Sequence, residues 1–473
     1  MYISDTMKWN KQLEIEQTVG RKGNLTMDNN KLAVLGGSPV IREDSIRPEI
    51  KDKLFRAMVL TEEAKAAAMD VIERGAFSFT DVTEQFQKEF AAWQGTDYCI
   101  AYCNGTMALT SAMFAIGLGE GDEIICPTKT YWGSVSQAIN FGASAVFCNI
   151  NDMLSMDPGD IERCITPRTK AIMVVHYFAY PADMDPIMEI AKKHNLFVIE
   201  DVSHAQGGYY KGKKLGTFGD VAAMSLMSTK SLACGELGVL VTNNRRIYER
   251  AMAFGHYERN NGNYITESEE LKDYFHIALG GAKGRANQVC TAIARDQLRH
   301  YDERCAEINR AMNYFWDQLE GLPGIRAIRV DESTGSTMAG WYCPHGAYYP
   351  DELDGLSVGR FTEAVRAEIG NICYPGGNFC LHTHQFFKTF DLNHRGTPSR
   401  IAYNDHDVRA DDHLCDPSLE KYCFSVPRFN YLEKEVIDLY AEGFRKVIKN
   451  YTQLLENDRK EAQGGRWYGS ENQ

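Results

Sequence analysis

The sequence predicts an α/β fold in which helices cover both faces of a mostly parallel central sheet, followed by a smaller C-terminal α+β domain. Short apolar runs alternate with helical stretches between residues 60 and 260, which is typical of successive βα units. With 473 residues the chain is also longer than a single-domain core, so about two domains are expected. We therefore predict a polar N-terminal extension over residues 1–31, a large domain over 32–310, and a small C-terminal domain with its tail over 311–473.

Seven apolar runs are predicted to form the strands of the central sheet, at residues 99–102, 123–126, 145–148, 171–175, 196–199, 221–226 and 238–242. Beyond them, charged and apolar residues interleave over 286–321, and this pattern predicts one long helix that leads into the small domain. An amphipathic helix over 433–455 is predicted to end that domain.

Composition excludes several classes of partner. The formal net charge of −13 argues against nucleic acid and anionic membranes, because both would repel the chain. No apolar run approaches the roughly 20 residues that a membrane-spanning helix needs, and no signal peptide opens the sequence. Thirteen cysteines occur without a Cys-x-x-Cys pair, and an odd number cannot pair completely, so a reducing cytoplasm is the expected compartment.

Lys230 is the strongest candidate for catalysis. It follows the apolar run 221–226 and precedes a turn that contains Gly235 and Gly238. Partial burial in such a place lowers the pKa of an ammonium group, so that the free amine forms an imine with a carbonyl compound near neutral pH. The alternative is an ordinary solvated lysine, which describes most of the 51 lysines and arginines of the chain.

Asp201 and His204 form a second candidate pair. The run 196–199 reads as a buried parallel strand whose carboxyl end brings Asp201 to the edge of the sheet, where open α/β folds bind ligands. A carboxylate that faces a pyridine nitrogen keeps it protonated and makes the ring an electron sink. His204 is placed to contact a phenolic oxygen or the ring. The alternatives are a turn or helix cap for Asp201 and an ordinary hydrogen-bonded histidine for His204.

A phosphate site and an aromatic platform are also predicted. Gly105 and Thr106 begin a helix directly after a strand, so their backbone N–H groups and the threonine hydroxyl suit a phosphate, with Ser225 as a further donor. Tyr131, next to Trp132 at the end of another strand, is placed to stack on a flat ring. A plain N-cap and core packing are the respective alternatives.

These motifs occur in an order that resembles the DegT/StrS family of pyridoxal-phosphate-dependent sugar aminotransferases over residues 32–450. The matching segments are Asn-Gly-Thr at 104–106, Pro-Thr-Lys-Thr-Tyr at 127–131, Val-His-Tyr at 175–177, Ala-Asp-Met-Asp-Pro at 182–186, Glu-Asp-x-x-His-Ala at 200–205, Ser-x-x-x-x-Lys at 225–230 and Gly-Glu-x-Gly at 235–238.

The resemblance implies pyridoxal phosphate as cofactor, held as an imine on Lys230, with Asp201 facing the pyridine nitrogen and His204 beside the ring hydroxyl. The other implied contacts are the phosphate ligands Gly105, Thr106 and Ser225 and the stacking ring of Tyr131. It also implies a homodimer with shared active sites, in which the segment 281–285 reaches the partner's cofactor. Lys283 stands there where many members have asparagine, and this difference is expected to affect cofactor affinity more than reaction type.

Two further motifs resemble known binding sites. Gly-Leu-Gly-Glu-Gly at 117–121 resembles a dinucleotide-binding loop, but it follows a helix instead of a strand. His382 and His384, with the Asp- and His-rich stretch 404–413, offer metal-ligand side chains without the helical spacing of a metal site, so no metal is predicted. We predict instead that both histidines bind substrate hydroxyls, as a corresponding C-terminal loop does in the family.

The predicted activity is transfer of an amino group, by a ping-pong mechanism, from L-glutamate or L-glutamine to a ketone of a nucleotide-linked sugar or an inosose-type cyclitol. The segment 32–40 is similar to openings found in inosose-type members, although a plain surface turn also explains its glycines. The alternatives are a pyridoxamine-dependent sugar dehydratase, whose relatives replace the lysine, commonly with histidine, and a non-catalytic regulatory protein on the same scaffold. The retained Lys230 and phosphate motif favour the aminotransferase.

Overall fold

The computed structural model describes residues 30–459 except 406, 410, 413 and 415–421, and its centre is a seven-stranded sheet. The strands before residue 243 are β1 Tyr98–Tyr102, β2 Glu123–Pro127, β3 Ser144–Cys148, β4 Thr169–Val175, β5 Phe197–Asp201, β6 Tyr209–Tyr210, β7 Lys213–Lys214, β8 Val221–Ser225 and β9 Gly238–Thr242. Of these, β6 and β7 form a separate short hairpin. The order in the large sheet is β1-β9-β8-β5-β4-β2-β3. Only β9 runs in the direction opposite to the other six strands, so the mostly parallel sheet is confirmed.

All seven predicted strands are present, and their ends differ from the prediction by at most two residues. In β2, β3 and β9 every residue is buried. Because successive strand residues point to opposite faces, this burial shows that both faces of the sheet are covered.

The described helices are α1 Pro48–Phe55, α2 Glu62–Glu73, α3 Asp81–Gln94, α4 Gly105–Ala115, α5 Pro158–Ile161, α6 Met184–His194, α7 Arg245–Gly255, α8 Gln288–Arg299, α9 Tyr301–Asp317, α10 Val358–Ile369, α11 Gln385–Lys388 and α12 Lys434–Lys449. Helix α4 packs on β8 and β9 and begins at the predicted phosphate site.

The single long helix predicted over 286–321 is wrong, because α8 and α9 are separate helices. His300, between them, has φ −104° and ψ 1°, which lies outside helical geometry. The break has a packing reason: α8 packs against α2 and α3, whereas α9 packs against α12. The final helix is also shorter than predicted, since α12 ends before Asn450 and a 3₁₀ segment, Tyr451–Asn457, follows.

A second sheet lies in the C-terminal part of the chain. It contains β10 Ile325–Ala327, β11 His345–Tyr348 and β12 Cys423–Ser425, all antiparallel, and α10 and α12 pack against each other beside it. The fully buried Glu368 of α10 joins the N-terminal segment to this region, because its carboxylate accepts hydrogen bonds from Ala33 N, Val40 N and Lys446 Nζ. The domain division at residue 310, which lies inside α9, stays a prediction.

No helix among the described residues is long and apolar enough to cross a membrane. The cysteines of the described part are all free thiols.

Candidate functional site

One cavity of about 440 Å³ lies at the carboxyl ends of the parallel strands. Val175, Asp201 and Ser225, the last residues of β4, β5 and β8, all line it. Segments that follow β1 and β2 form further parts of the wall. The cavity thus lies at the edge where open α/β sheets bind ligands. The lining residues are Asn104, Gly105, Thr106, Leu109, Thr130, Tyr131, Gly133, Ser134, Val175, Tyr177, Phe178, Asp201, Ser203, His204, Ser225, Met227, Lys230, Glu236, Tyr342, Cys343 and Asn378.

Lys230 projects into this cavity from the turn between β8 and β9. Its backbone N–H donates to Met227 O (2.8 Å), which fixes the turn. The residue is only 8% exposed, and its Nζ lies 4.4 Å from the centroid of the Tyr342 ring. Burial lowers the pKa of the ammonium group to about 8, although the negative charge of Asp201 acts in the opposite direction. The fraction of free amine near neutral pH is therefore larger than for an exposed lysine.

Asp201 is held from two sides. Ser134 Oγ donates to its Oδ2 (2.7 Å), and Ser203 N donates to its Oδ1 (3.0 Å). Ser134 in turn forms a 3.0 Å hydrogen bond with Thr130 Oγ1, so the carboxylate is tied to the segment that follows β2. The oriented carboxylate is an acceptor that suits a protonated ring nitrogen.

His204 presents a defined tautomer to the cavity. Its Nδ1 accepts a hydrogen bond from Phe178 N (3.2 Å), so in the neutral ring the proton is on Nε2. Burial lowers the pKa of the imidazole well below its usual value, and the nearby Lys230 ammonium has the same effect. The ring lies 4.3 Å from that of Tyr342, measured between centroids. His204 is therefore a neutral donor through Nε2, as contact with a phenolic oxygen requires.

The start of α4 forms a cup for an anion. Asn104 caps the helix by accepting a hydrogen bond from Met107 N (2.8 Å), and the N–H groups of Gly105 and Thr106 precede the first helical hydrogen bonds. Two glycines allow the start of α4 to lie close against β8 and β9: a Cβ on Gly105 would lie 2.7 Å from Ser225 Cβ, and one on Gly238 would lie 2.3 Å from Asn104 O. The hydroxyl-bearing residues Thr106 and Ser225 thus line the same end of the cavity.

Tyr131 also lines the cavity. Its ring packs against Trp132 with a centroid distance of 4.7 Å and an interplanar angle of 39°. A Cβ on Gly133 would lie 2.9 Å from carbons of the Tyr131 ring, so the glycine allows the tyrosine to lie flat against the backbone. This position suits an aromatic platform, and stacking on a cofactor stays a prediction.

The chemistry of this donor set fits pyridoxal phosphate. A lysine amine, a fixed carboxylate, a neutral histidine N–H donor and a helix N-terminus with two hydroxyl residues line one cavity. They match the aldehyde, pyridine nitrogen, ring hydroxyl and phosphate of that molecule. The assignment of each residue to its group stays a prediction.

Three predicted site residues lie elsewhere in the described structure. Lys283 is exposed beside Tyr257, with Nζ 4.9 Å from the ring centroid, and does not line the cavity of its own chain. His382 Nδ1 forms a 2.6 Å hydrogen bond with Thr128 Oγ1, and His384 Nδ1 accepts from Phe386 N (3.1 Å) at the start of α11. Neither histidine lines the cavity, so their binding of substrate hydroxyls stays a prediction without support from their position.

Sequence reasoning missed part of the wall. Ser134 lies four residues after Thr130, a spacing that fits the short 3₁₀ turn Trp132–Ser134. That spacing is the only feature of the sequence that could have indicated that Ser134 lies beside Thr130. Tyr342 and Cys343 come from the segment before β11, far along the chain from Lys230, and no local pattern marks them. Their segment has unusual backbone geometry, because Trp341 and Cys343 both have φ of 48°.

Within the described residues, no group of three His, Cys, Asp or Glu side chains is arranged to hold a metal ion. In the Asp- and His-rich stretch, Asp405 pairs with Arg168 and Asp411 pairs with the fully buried Arg400. His406 and His413 of this stretch lie outside the described residues.

Comparison with known proteins identifies clear relatives. Residues 59–348, more than half of the chain, match the model of the DegT/DnrJ/EryC1/StrS aminotransferase family. The L-glutamine:scyllo-inosose aminotransferase of Streptomyces griseus is 28% identical over 90% of this chain and 99% of its own length. GDP-perosamine synthase of Escherichia coli O157:H7 is 39% identical, but the match spans 46% of this chain and 58% of that protein. Among solved structures, an aminotransferase from Psychrobacter cryohalolentis has a TM-score of 0.71 and 25% identity, covering 83% of this chain and 98% of its own.

Proposed function

Because this chain belongs to the DegT/DnrJ/EryC1/StrS aminotransferase family, which depends on pyridoxal phosphate, we propose that it transfers an amino group from L-glutamate or L-glutamine to a ketone of a nucleotide-linked sugar or an inosose-type cyclitol. The observation that carries the proposal is the joint position of Lys230 and Asp201 in one cavity. Burial lowers the pKa of the lysine to about 8, and Ser134 and Ser203 fix the carboxylate.

When bound, pyridoxal phosphate supplies an electron sink that stabilises the carbanion of the amino donor. Lys230 would hold the aldehyde carbon of the cofactor. Its amine, when free, would remove the α-proton of the donor as a general base and return a proton as a general acid. Asp201 would keep a proton on the ring nitrogen, and His204 would donate from Nε2 to the ring hydroxyl.

The retained lysine supports transamination over dehydration. A dehydratase of this family dispenses with the lysine, whereas Lys230 here is buried and has a lowered pKa. A non-catalytic role would leave this poised amine without a use.

Two kinds of ketone are compatible with the relatives. The match to the scyllo-inosose enzyme spans nearly the whole of both chains, and the match to GDP-perosamine synthase is higher in identity but shorter. A panel of inososes and nucleotide-linked keto sugars, each with glutamate and glutamine, distinguishes them when the amine product is detected by mass spectrometry.

Initial rates with donor and ketone both varied test the reaction type. We expect parallel double-reciprocal lines, because the donor product leaves before the ketone binds. Intersecting lines would contradict the proposed mechanism.

We further propose that the protein is a homodimer in which Lys283 approaches the partner's cofactor phosphate. Lys283 is exposed, and large apolar side chains are also exposed, among them Phe79 (61%), Ile277 (55%) and Tyr274 (50%). Sedimentation should give twice the chain mass, and Lys283→Ala should weaken cofactor binding without changing the products. A monomeric active enzyme would refute the shared site.

A further inference from the structure

Tyr342 lines the cavity but takes no part in the proton transfers described above. The centre of its ring lies 4.4 Å from Lys230 Nζ and 4.3 Å from the centre of the His204 ring, with 33° between the two ring planes. One side chain thus contacts both the amine and the imidazole. The distance to Lys230 is that of a cation–π contact, in which the face of a ring attracts an ammonium charge.

The segment that carries Tyr342 is held against the turn of Lys230. Ser231, the residue after Lys230, donates from Oγ to Gly340 O (3.0 Å). Gly340 permits this close approach, because a Cβ there would lie 2.4 Å from Ser231 Cβ. Tyr342 is therefore joined to the turn of Lys230 through the backbone two residues before it as well as through its ring.

The backbone around Tyr342 is left-handed at three residues that are not glycine. Ala339, Trp341 and Cys343 have φ of 47°, 48° and 48°. Such conformations cost energy and persist only where the surrounding structure fixes them. Trp341 supplies part of this support, because it is fully buried and donates from Nε1 to Asn309 Oδ1 (2.7 Å). The ring of Tyr342 is therefore presented to the cavity by a backbone that its surroundings hold in place.

The face of an aromatic ring suits the task of Lys230. An amine that removes the α-proton of the donor becomes an ammonium group, and it has to keep that proton until the proton is returned. Burial in the cavity disfavours this charge. The face of a ring stabilises an ammonium group and, unlike a carboxylate, does not take the proton from it.

We propose that Tyr342 is a positioning residue for Lys230, whose charged amine its ring holds by a cation–π contact and fixes relative to His204. The inference rests on the proposed function, in which Lys230 exchanges a proton with the donor. The alternative is that the ring only fills space in the wall, and any apolar side chain of similar size would then replace it.

Several ionisable groups besides Lys230 belong to the cavity. Those that line it are Tyr131, Tyr177, Asp201, His204, Glu236 and Cys343. Burial has the largest effect on Lys230 and lowers its pKa, while Asp201 and Cys343 act in the opposite direction. All of these groups are retained in variants of Tyr342, so a difference between two such variants reports on the ring.

The test is an NMR titration of cofactor-free protein that contains lysine labelled with carbon-13 at Cε. The signal of Lys230 is identified by its absence from Lys230→Met. Tyr342→Leu keeps an apolar side chain but removes the ring, and we expect it to lower the midpoint of the Lys230 titration by about 0.5 to 1.5 pH units. Tyr342→Phe keeps the ring face and should titrate like wild type.

A second measurement does not depend on the leucine variant. Protons above the face of an aromatic ring resonate upfield of their ordinary position, so the Cε protons of Lys230 should be displaced upfield in the wild-type protein and in Tyr342→Phe. The control is Tyr349→Leu. Tyr349 is exposed, with the guanidinium of Arg326 5.2 Å from the centre of its ring, and its replacement should leave the Lys230 signal unchanged.

A Tyr342→Leu protein that keeps the wild-type unfolding midpoint and titrates at the wild-type pH or above it would overturn the inference. Cε protons of Lys230 at their ordinary position in the wild-type protein would do the same. Neither result bears on whether the protein transfers amino groups. A wild-type protein that gives the expected titration but reacts with no amino donor would instead refute the proposed function, with the contact between Tyr342 and Lys230 confirmed.

Discussion

Ser134 donates its hydroxyl hydrogen to Asp201 Oδ2 over 2.7 Å and thereby joins two segments separated by 67 residues. Ser203 N occupies the other carboxylate oxygen, so the plane of Asp201 is fixed before any ligand binds. Such preorganisation matters because the carboxylate must face a ring nitrogen in one orientation.

Asp201→Asn should lower the rate of the donor half-reaction by at least about 10²-fold, because an amide does not hold the proton on the ring nitrogen. Ser134→Ala keeps the carboxylate and removes one hydrogen bond to it, so a loss of about 10-fold is expected. Stopped-flow absorbance with saturating donor measures both rates. A Ser134→Ala enzyme as slow as Asp201→Asn would show that the serine does more than orient the carboxylate.

The anion cup at the start of α4 is expected to contribute to cofactor affinity. Thr106→Val preserves side-chain shape but removes the hydroxyl, and we expect the Kd for pyridoxal phosphate to rise about 10-fold or more through loss of a hydrogen bond to a charged group. Thr106→Ser restores the hydroxyl and should bind like wild type. Equilibrium dialysis of the cofactor-free protein gives both values, and equal Kd values for the valine and serine variants would remove Thr106 from the phosphate site.

The lowered pKa of Lys230 predicts the pH dependence of cofactor loading. Only the neutral amine attacks an aldehyde, so the loading rate of cofactor-free protein should rise with pH and level off above about 8, rather than near the ordinary lysine value of 10.5. Stopped-flow absorbance over a range of pH measures this profile. A rate that continues to climb to pH 10 would mean that Lys230 is not desolvated.

Burial of Lys230 should also reduce stability, since the folded chain favours the neutral amine. The free-energy cost of burying the charged lysine is fully present below a pH of about 8, where Lys230 is protonated in both the folded and the unfolded chain. This cost disappears as the pH rises towards 10.5. Lys230→Met should therefore increase the free energy of unfolding at pH 7 by on the order of 3 kcal/mol at most, while abolishing activity. Urea unfolding of the cofactor-free proteins tests this, with exposed Lys65→Met as control.

The strand pattern was predictable because each strand of the large sheet is a short apolar run between helical stretches. Lys230, Asp201, His204 and the cup at Gly105 were found for a related reason: they follow directly on strands, and the carboxyl ends of parallel strands meet at one edge. Local sequence was sufficient to predict the cavity-lining residues that lie next to a strand end.

The break at His300 was not predictable from periodicity, because α8 and α9 both have amphipathic patterns and only their different packing partners separate them. Tyr342 and Cys343 were missed for a similar reason. They reach the cavity because the C-terminal part of the chain folds onto the large sheet. The spacing of residues along the chain does not predict that contact. His382 is a different case: its Nδ1 bonds to Thr128 and it does not line the cavity, so its binding of substrate hydroxyls stays a prediction.

The most direct test of the account is to locate the covalent bond between cofactor and protein. The loaded enzyme is reduced with borohydride, digested, and mapped by mass spectrometry. We expect the cofactor mass on the peptide that contains Lys230 and on no other. Attachment to the buried Lys129 or to Lys283, or no attachment after reduction of a fully loaded enzyme, would contradict it.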